Sequence, residues 1–169
     1  MKCYSKMASI ALAALLLAGC PSRTPPATSS SKPVPVGKRV EVASSHREEV
    51  TLYALGLLNT EYRYGGSSPE GGLDCSGLVS HIFAKATGVL LPHNAAAIAS
   101  LARPLERSAL QAGDLVFFNT LGRPFSHMGV YLGEDKFIHA PSSGKLVRID
   151  LLSNRYYASR FEGGRTLFQ

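Results

Sequence analysis

The chain has 169 residues, 45% of them hydrophobic, and a formal charge of +6; this is room for one packed domain plus processing segments and excludes a disordered or collagen-like chain. Taking Lys2 and Lys6 from the 18 basic residues, as part of a segment expected to be removed, leaves 16 against 12 acidic, a mild +4 with no Lys/Arg block, which argues against a nucleic-acid partner and suits an acidic polymer. Of the three cysteines, Cys3, Cys20 and Cys75, only Cys75 lies in the expected folded body, which excludes an internal disulfide framework and a multi-cysteine metal site.

The N-terminus reads as an address. Lys2 and Lys6 precede an apolar run, Ile10 to Leu17, too short to span a bilayer. The run ends Leu17-Ala18-Gly19-Cys20. Small residues before a cysteine resemble a bacterial lipobox, with cleavage before Cys20 and acylation of that residue; the alternative is an ordinary secretory signal cut near Ala18. Several acyl chains would hold the protein at a membrane durably. Pro21, where an Asp would retain a Gram-negative lipoprotein at the inner membrane, favours the periplasmic side of the outer membrane in a Gram-negative cell; in any other cell the expectation is a cell-surface lipoprotein. Residues 20–44 are rich in Pro, Ser, Thr and Ala and read as a flexible tether. The expected organisation is thus a signal peptide over 1–19, a lipidated Cys20 and tether over 20–44, and one domain over 45–169.

Within that domain, Val50, Tyr53, Ala54, Leu57 and Leu58 recur at helical spacing between Ser45 and Asn59, with Ser45 and Glu48 forming a capping-box pattern. A turn-rich loop follows, from Tyr62 to Gly72. A second helix is predicted from Asp74 or Cys75 to Thr87, stopped by Gly88, with Leu78, Val79, Ile82 and Phe83 as its buried stripe. A short helix from Asn94, its cap, to Leu101 comes next. The pattern then changes to β-rich runs, Asp114–Asn119, His127–Leu132, Lys136–Ala140 and Lys145–Asp150, which read as an antiparallel sheet. A last short helix near 151–159 and a strand near Thr166 close an α+β domain.

Cys75 is placed as the first residue of a helix, with Asp74 as cap and Gly77 permitting close approach of backbone or substrate. Helix N-termini favour negative charge, which predicts a lowered thiol pKa; an inert buried cysteine is the plain alternative. A thiol nucleophile needs a base and a group to orient that base. His46 and His81 read as surface or core-edge residues, and His93 as a maker of local polar contacts. His127 and His139 lie in β-rich runs; if those runs are neighbouring antiparallel strands, the two imidazoles meet. A metal pair would need a third ligand, and no such spacing exists, so no metal or cofactor is expected.

Taken together, Tyr62-Arg-Tyr-Gly-Gly, Asp74-Cys-Ser-Gly-Leu-Val, Leu91-Pro92, Gly113-Asp114-Leu-Val-Phe-Phe, Ser126-His-Met-Gly-Val-Tyr-Leu-Gly and Phe137-Ile-His-Ala resemble, in order and spacing, the NlpC family of papain-like cell-wall cysteine peptidases. The resemblance runs from about Leu52 to Phe168. It implies a papain-like fold, Cys75 as nucleophile, His127 as base and His139 as the third polar residue. It also places the family's loop tyrosine at Tyr62, whose hydroxyl is expected at the oxyanion; Asp74 and Ser76 flank the nucleophile and are expected to bind a polar group of the substrate, with a plain helix cap as the alternative for Asp74. The substrate class would be the peptide stems of peptidoglycan, cut at the D-Glu–diaminopimelate bond or the D-Ala–diaminopimelate crosslink by a monomer. The loop Ser68–Gly72 is longer than the family's, and His93 stands where an Arg is usual, so substrate preference is open. A non-catalytic wall-binding lipoprotein and an acyltransferase are the rival functions; the Cys-before-His order favours the peptidase. No wall-targeting module of the SH3 or LysM type fits in the remaining residues.

Overall fold

The computed structural model describes residues 39–142 and 145–169. The expected signal peptide, the acylated Cys20 and the tether as far as residue 38 lie outside the described residues. In chain order the elements are α1 (Arg47–Gly56), β1 (Ser67–Ser68), β2 (Gly72–Leu73), α2 (Cys75–Thr87), α3 (Ala95–Leu101) and β3 (Arg103–Leu105). They continue with β4 (Leu115–Phe118), β5 (His127–Gly133), β6 (Lys136–His139), β7 (Arg148–Leu151), α4 (Arg155–Ala158) and β8 (Phe161–Thr166). Helices first and an antiparallel sheet second make the α+β domain that the sequence predicts. Among the described residues no helix is long and apolar enough to cross a membrane.

The main sheet has six strands in the order β3-β8-β4-β5-β6-β7, every pairing antiparallel, and β1 and β2 form a separate small hairpin. Period-two alternation sorts the sheet's side chains into two cores. Leu115, Phe117, Met128, Val130 and Ile138 join the helical residues Val50, Ala54, Leu78, Val79, Ile82 and Phe83 in the larger one. Val116, Phe118 and Phe137 form the smaller one with Leu152 and Tyr157. Burial on both faces explains why the β4 run Leu-Val-Phe-Phe is apolar without a break.

The helix N-terminus at α2 follows the sequence closely. Asp74 is its cap, accepting from the Gly77 N–H at 2.7 Å, and Gly88 ends it with φ +73°. The four predicted stripe residues are fully buried. Asn94 caps α3 in the same way. The capping box at Ser45 does not form: a 3-10 turn over Ser44–His46 leads into α1, which has no side-chain cap. The Ser44 hydroxyl instead donates to the carbonyl of Gln169, across the domain. Packing also begins ahead of residue 45. Val42 is buried and its N–H donates to the Leu167 carbonyl at 2.7 Å, so the last residues assigned to the tether pair with the C-terminal segment.

Arg47 anchors α1 to the sheet: its Nη1 pairs with the buried Asp114 Oδ1 at 2.9 Å, and its guanidinium lies 4.2 Å from the Phe168 ring centre. The remaining Asp114 oxygen accepts from the Gln111 N–H at 2.8 Å, so the buried charge is both paired and hydrogen-bonded.

Candidate active site

The site begins with the loop that precedes α2. Gly66 and Gly77 lie back to back, and a Cβ on Gly77 would overlap the Gly66 carbonyl oxygen. This contact presses the glycine-rich loop against the first turn of α2, which is the close backbone approach expected of Gly77. Asp74 ties the assembly together. Its Oδ1 accepts from the Gly77 N–H, from the Ser76 hydroxyl at 3.0 Å and from His93 Nε2 at 2.8 Å, and its Oδ2 accepts from the Gly65 N–H at 3.0 Å. An ionised carboxylate has about four lone-pair sites, two on each oxygen, so three partners crowd Oδ1 while Oδ2 holds one. Burial pushes the Asp74 pKa up, but the bonds from Gly77, His93 and Ser76 outweigh it and hold the group below its ordinary range. Asp74 and Ser76 thus brace the loop against the helix, and both also line the cleft beside Cys75. His93 makes the local polar contact expected of it, while His81 faces the Tyr53 hydroxyl at 3.2 Å and His46 bonds Glu49.

Cys75 opens α2 at the floor of a cleft of about 350 Å³, lined also by Tyr62, Tyr64, Ser76, His93, Phe125 and His127. The thiol is not lowered as its helix position suggested; it is raised to about 11. Burial is the largest cause and the Asp74 carboxylate next door the second; the backbone N–H groups of Met128, Ser76 and Cys75 itself pull the other way and lose. A helix N-terminus that carries its own carboxylate cap has its partial positive charge already answered. The resting sulfur is a thiol. Its contact with the Met128 amide sets it beside the start of β5, where His127 stands. Tyr62, on the cleft wall, has its hydroxyl pKa raised by burial first and then by Cys75 and Asp74.

His127 and His139 come together on adjacent strands, with His127 Nε2 2.7 Å from His139 Nδ1. Both face the smaller core: His127 pairs in register with Phe118, and His139 lies two residues beyond Phe137. Phe118, Phe137 and Tyr157 rings pack around the two imidazoles. This apolar wall is the first cause of both histidines' lowered pKa; at His127 the neighbouring His139 lowers it further, to about 3.

A further residue, absent from the sequence reading, completes the chain. His139 Nε2 lies 2.8 Å from Asp150 Oδ2, which also accepts from Arg148 Nε at 2.8 Å. Burial raises the Asp150 pKa, but the bonds from His139 and Arg148 prevail and bring it to about 2. An ionised carboxylate only accepts, so His139 carries its proton on Nε2. Its Nδ1 then has the lone pair and accepts from His127 Nε2–H. The lone pair of His127 is thereby fixed on Nδ1, the ring nitrogen not engaged by His139. One signal for Asp150 was available: Arg148 and Asp150 are two apart on a strand and so share a face. On β7 these polar residues are half-buried while Ile149 and Leu151 are exposed, the reverse of the ordinary pattern.

Among the described residues no group of three or more His, Cys, Asp or Glu is arranged to hold a metal ion.

The sheet order, the two-sided core and the cysteine at the helix start define a papain-like α+β domain. The chain belongs to the NlpC/P60 family, whose pattern matches residues 59–166. It is 45% identical over 134 residues to murein DD-endopeptidase MepH of Escherichia coli, covering 73% of this chain and 49% of that protein. It is 34% identical over 133 residues to the probable endopeptidase YafL of the same organism, covering 75% of this chain and 53% of that one. The chain thus spans about half the length of these relatives. Among solved structures, a protein of the NLP/P60 family from Staphylococcus aureus superposes with a TM-score of 0.67 at 29% identity, over 78% of this chain and 44% of its own.

Proposed function

We propose that this protein is a peptidoglycan endopeptidase that hydrolyses amide bonds in wall peptide stems or crosslinks, with Cys75 as nucleophile, His127 as base and His139 as the residue that orients it. The observation that carries the reading is the 2.7 Å contact between the two imidazoles, which directs the His127 lone pair to the one nitrogen left for the thiol. The names of the relatives, a murein DD-endopeptidase and a probable endopeptidase, support the substrate class.

The thiol is protonated at rest, so the proton moves during attack. His127 Nδ1 takes it as the sulfur bonds to the carbonyl carbon. The Cys75 backbone N–H, which as the first of a helix has no intrahelical partner, meets the developing oxyanion together with the Tyr62 hydroxyl. His127 then gives its proton to the departing amine. A water, deprotonated by the same nitrogen, hydrolyses the thioester and restores the thiol. Asp150 stabilises the transient imidazolium through His139. Incubating purified walls with the protein and counting new amine ends tests this; Cys75→Ala is expected to release none while keeping its circular dichroism spectrum.

The address at the N-terminus belongs to the same proposal. Cys20 is acylated after removal of residues 1–19, and the Pro/Ser-rich stretch lets a monomeric domain reach the wall from the periplasmic face of the outer membrane. Incorporation of labelled palmitate that is lost in Cys20→Ser is the expected result; labelling retained in that variant would contradict it.

A further inference from the structure

Past His127 the cleft continues into a second cavity of about 510 Å³. The two share Thr120, Leu121, His127, Pro141 and Ser142, but Cys75 lines only the first. Their charges differ. The Cys75 arm carries one cation, Arg123, together with the Asp74 carboxylate, whereas the second arm carries two, Lys145 and Arg148, and no acidic lining residue.

Both cations are placed by backbone structure. Arg148 stands directly opposite His139 in the β6–β7 register, so its side chain leaves the sheet on the same face as that imidazole. Its Nε donates to Asp150 and the Tyr157 hydroxyl is a further partner, while the guanidinium has five N–H donors in all. The Lys145 carbonyl accepts from the Tyr62 N–H at 2.9 Å, which fastens this residue to the rim of the Cys75 arm. No carboxylate of the described residues lies within ion-pair distance of Lys145. Tyr156 adds an aromatic wall.

We infer that this second arm is the leaving-group subsite and that Lys145 and Arg148 bind a carboxylate carried on the same carbon as the departing amine. The inference rests on the hydrolysis proposed above. In that reaction the acyl half of the substrate stays on Cys75, and the amine half leaves from the side of His127, which protonates it. The arm that His127 lines and Cys75 does not is where the amine half lies. The two candidate bonds differ at this point. In a crosslink between tetrapeptide stems, the diaminopimelate amine that is released sits beside a free carboxylate. In the bond within a tetrapeptide stem, the carboxyl beside the released amine is already tied up in the next amide. A paired cationic site therefore selects the crosslink, and amidation of that one carboxylate removes the selection.

The test is binding by the full chain carrying Cys75→Ala, measured by calorimetry. The two ligands are a crosslinked tetrapeptide dimer with the carboxylate free and the same dimer with it converted to the carboxamide. The free dimer is expected to bind roughly tenfold more tightly, as befits a charge-assisted contact, and the advantage should shrink as salt is raised. Lys145→Glu should abolish or reverse the preference; Lys145→Gln, which adds no charge, should narrow it. Equal affinities for the two dimers, or a preference that survives Lys145→Glu unchanged, would overturn the subsite. Turnover by the unsubstituted chain is read separately. If neither dimer is cut, the hydrolase reading fails whatever the affinities; if both are bound equally but cut, only the subsite fails.

Discussion

Asp150→Asn removes one charge at a residue that lines neither arm of the cleft. Asp150 reaches the sulfur only through two imidazoles, by contacts of 2.8 and 2.7 Å. The asparagine amide can donate to His139 Nε2 instead of accepting from it. That inverts both tautomers and turns an N–H, not a lone pair, toward Cys75. A hydrogen bond to a charged group contributes about 1.5–3 kcal/mol, so kcat is expected to fall by roughly 10- to 100-fold. KM should change less than kcat, because Asp150 lines neither arm and reaches the substrate only through its bond to Arg148. The Asp150 charge supports proton uptake at both histidines; without it the acid limb of the rate profile should move to lower pH. Asp150→Glu, which keeps an acceptor-only carboxylate, should recover part of the rate. Initial rates of amine release from a defined crosslinked peptide, taken across pH, give all three readouts. Unchanged kcat in Asp150→Asn, or a raised KM with kcat intact, would refute the tautomer argument.

Three other outcomes are expected. Because burial and Asp74 hold the thiol near 11, the alkylation rate of Cys75 should climb roughly tenfold per unit between about pH 7 and about pH 10; a plateau already reached at neutral pH would show a resting thiolate. Gly77→Ala forces a Cβ against the Gly66 carbonyl and to 3.0 Å from His93 Nε2; stability should drop by about 1–3 kcal/mol and activity with it, and a wild-type urea midpoint would contradict the packing described. The pKa of both buried histidines is lowered from 6.5. The unfolded chain therefore binds more protons than the folded one just below pH 6.5, and stability must fall as pH falls through that window, by at most about 1.4 kcal/mol per pH unit for each imidazole. His127→Asn should flatten this slope in urea titrations, and an unchanged slope would count against a neutral buried base.

Local rules carried the sequence reading a long way. Asp74 and Gly88 bound α2 because capping and left-handed termination depend on a few adjacent residues, and the Leu78–Phe83 stripe is buried because helical spacing alone puts it on one face. Short runs of β-favouring residues brought out β4, β5 and β6 for the same reason. What failed depends on distant parts. Ser44 bonds Gln169 at the other end of the domain, so a capping box inferred from neighbours was the wrong partner for this segment. Strand β3 holds Pro104 at a sheet edge and pairs only with β8, which gives it no pattern of its own. The thiol was misjudged because helix position is a local feature, whereas its pKa is set by burial against the rest of the fold. Asp150 was missed because its meaning comes from register: only the β6–β7 pairing shows that an acidic residue on an edge strand faces His139.

The central claim is that the Cys75 sulfur attacks a wall amide with its proton passing to His127. Mass spectrometry of a defined crosslinked muropeptide, incubated with the unsubstituted chain and with Cys75→Ala, addresses it most directly. The account predicts two fragments whose summed mass exceeds the substrate by one water with the unsubstituted chain, and intact substrate with Cys75→Ala. Fragments formed at equal rates by both proteins would contradict it.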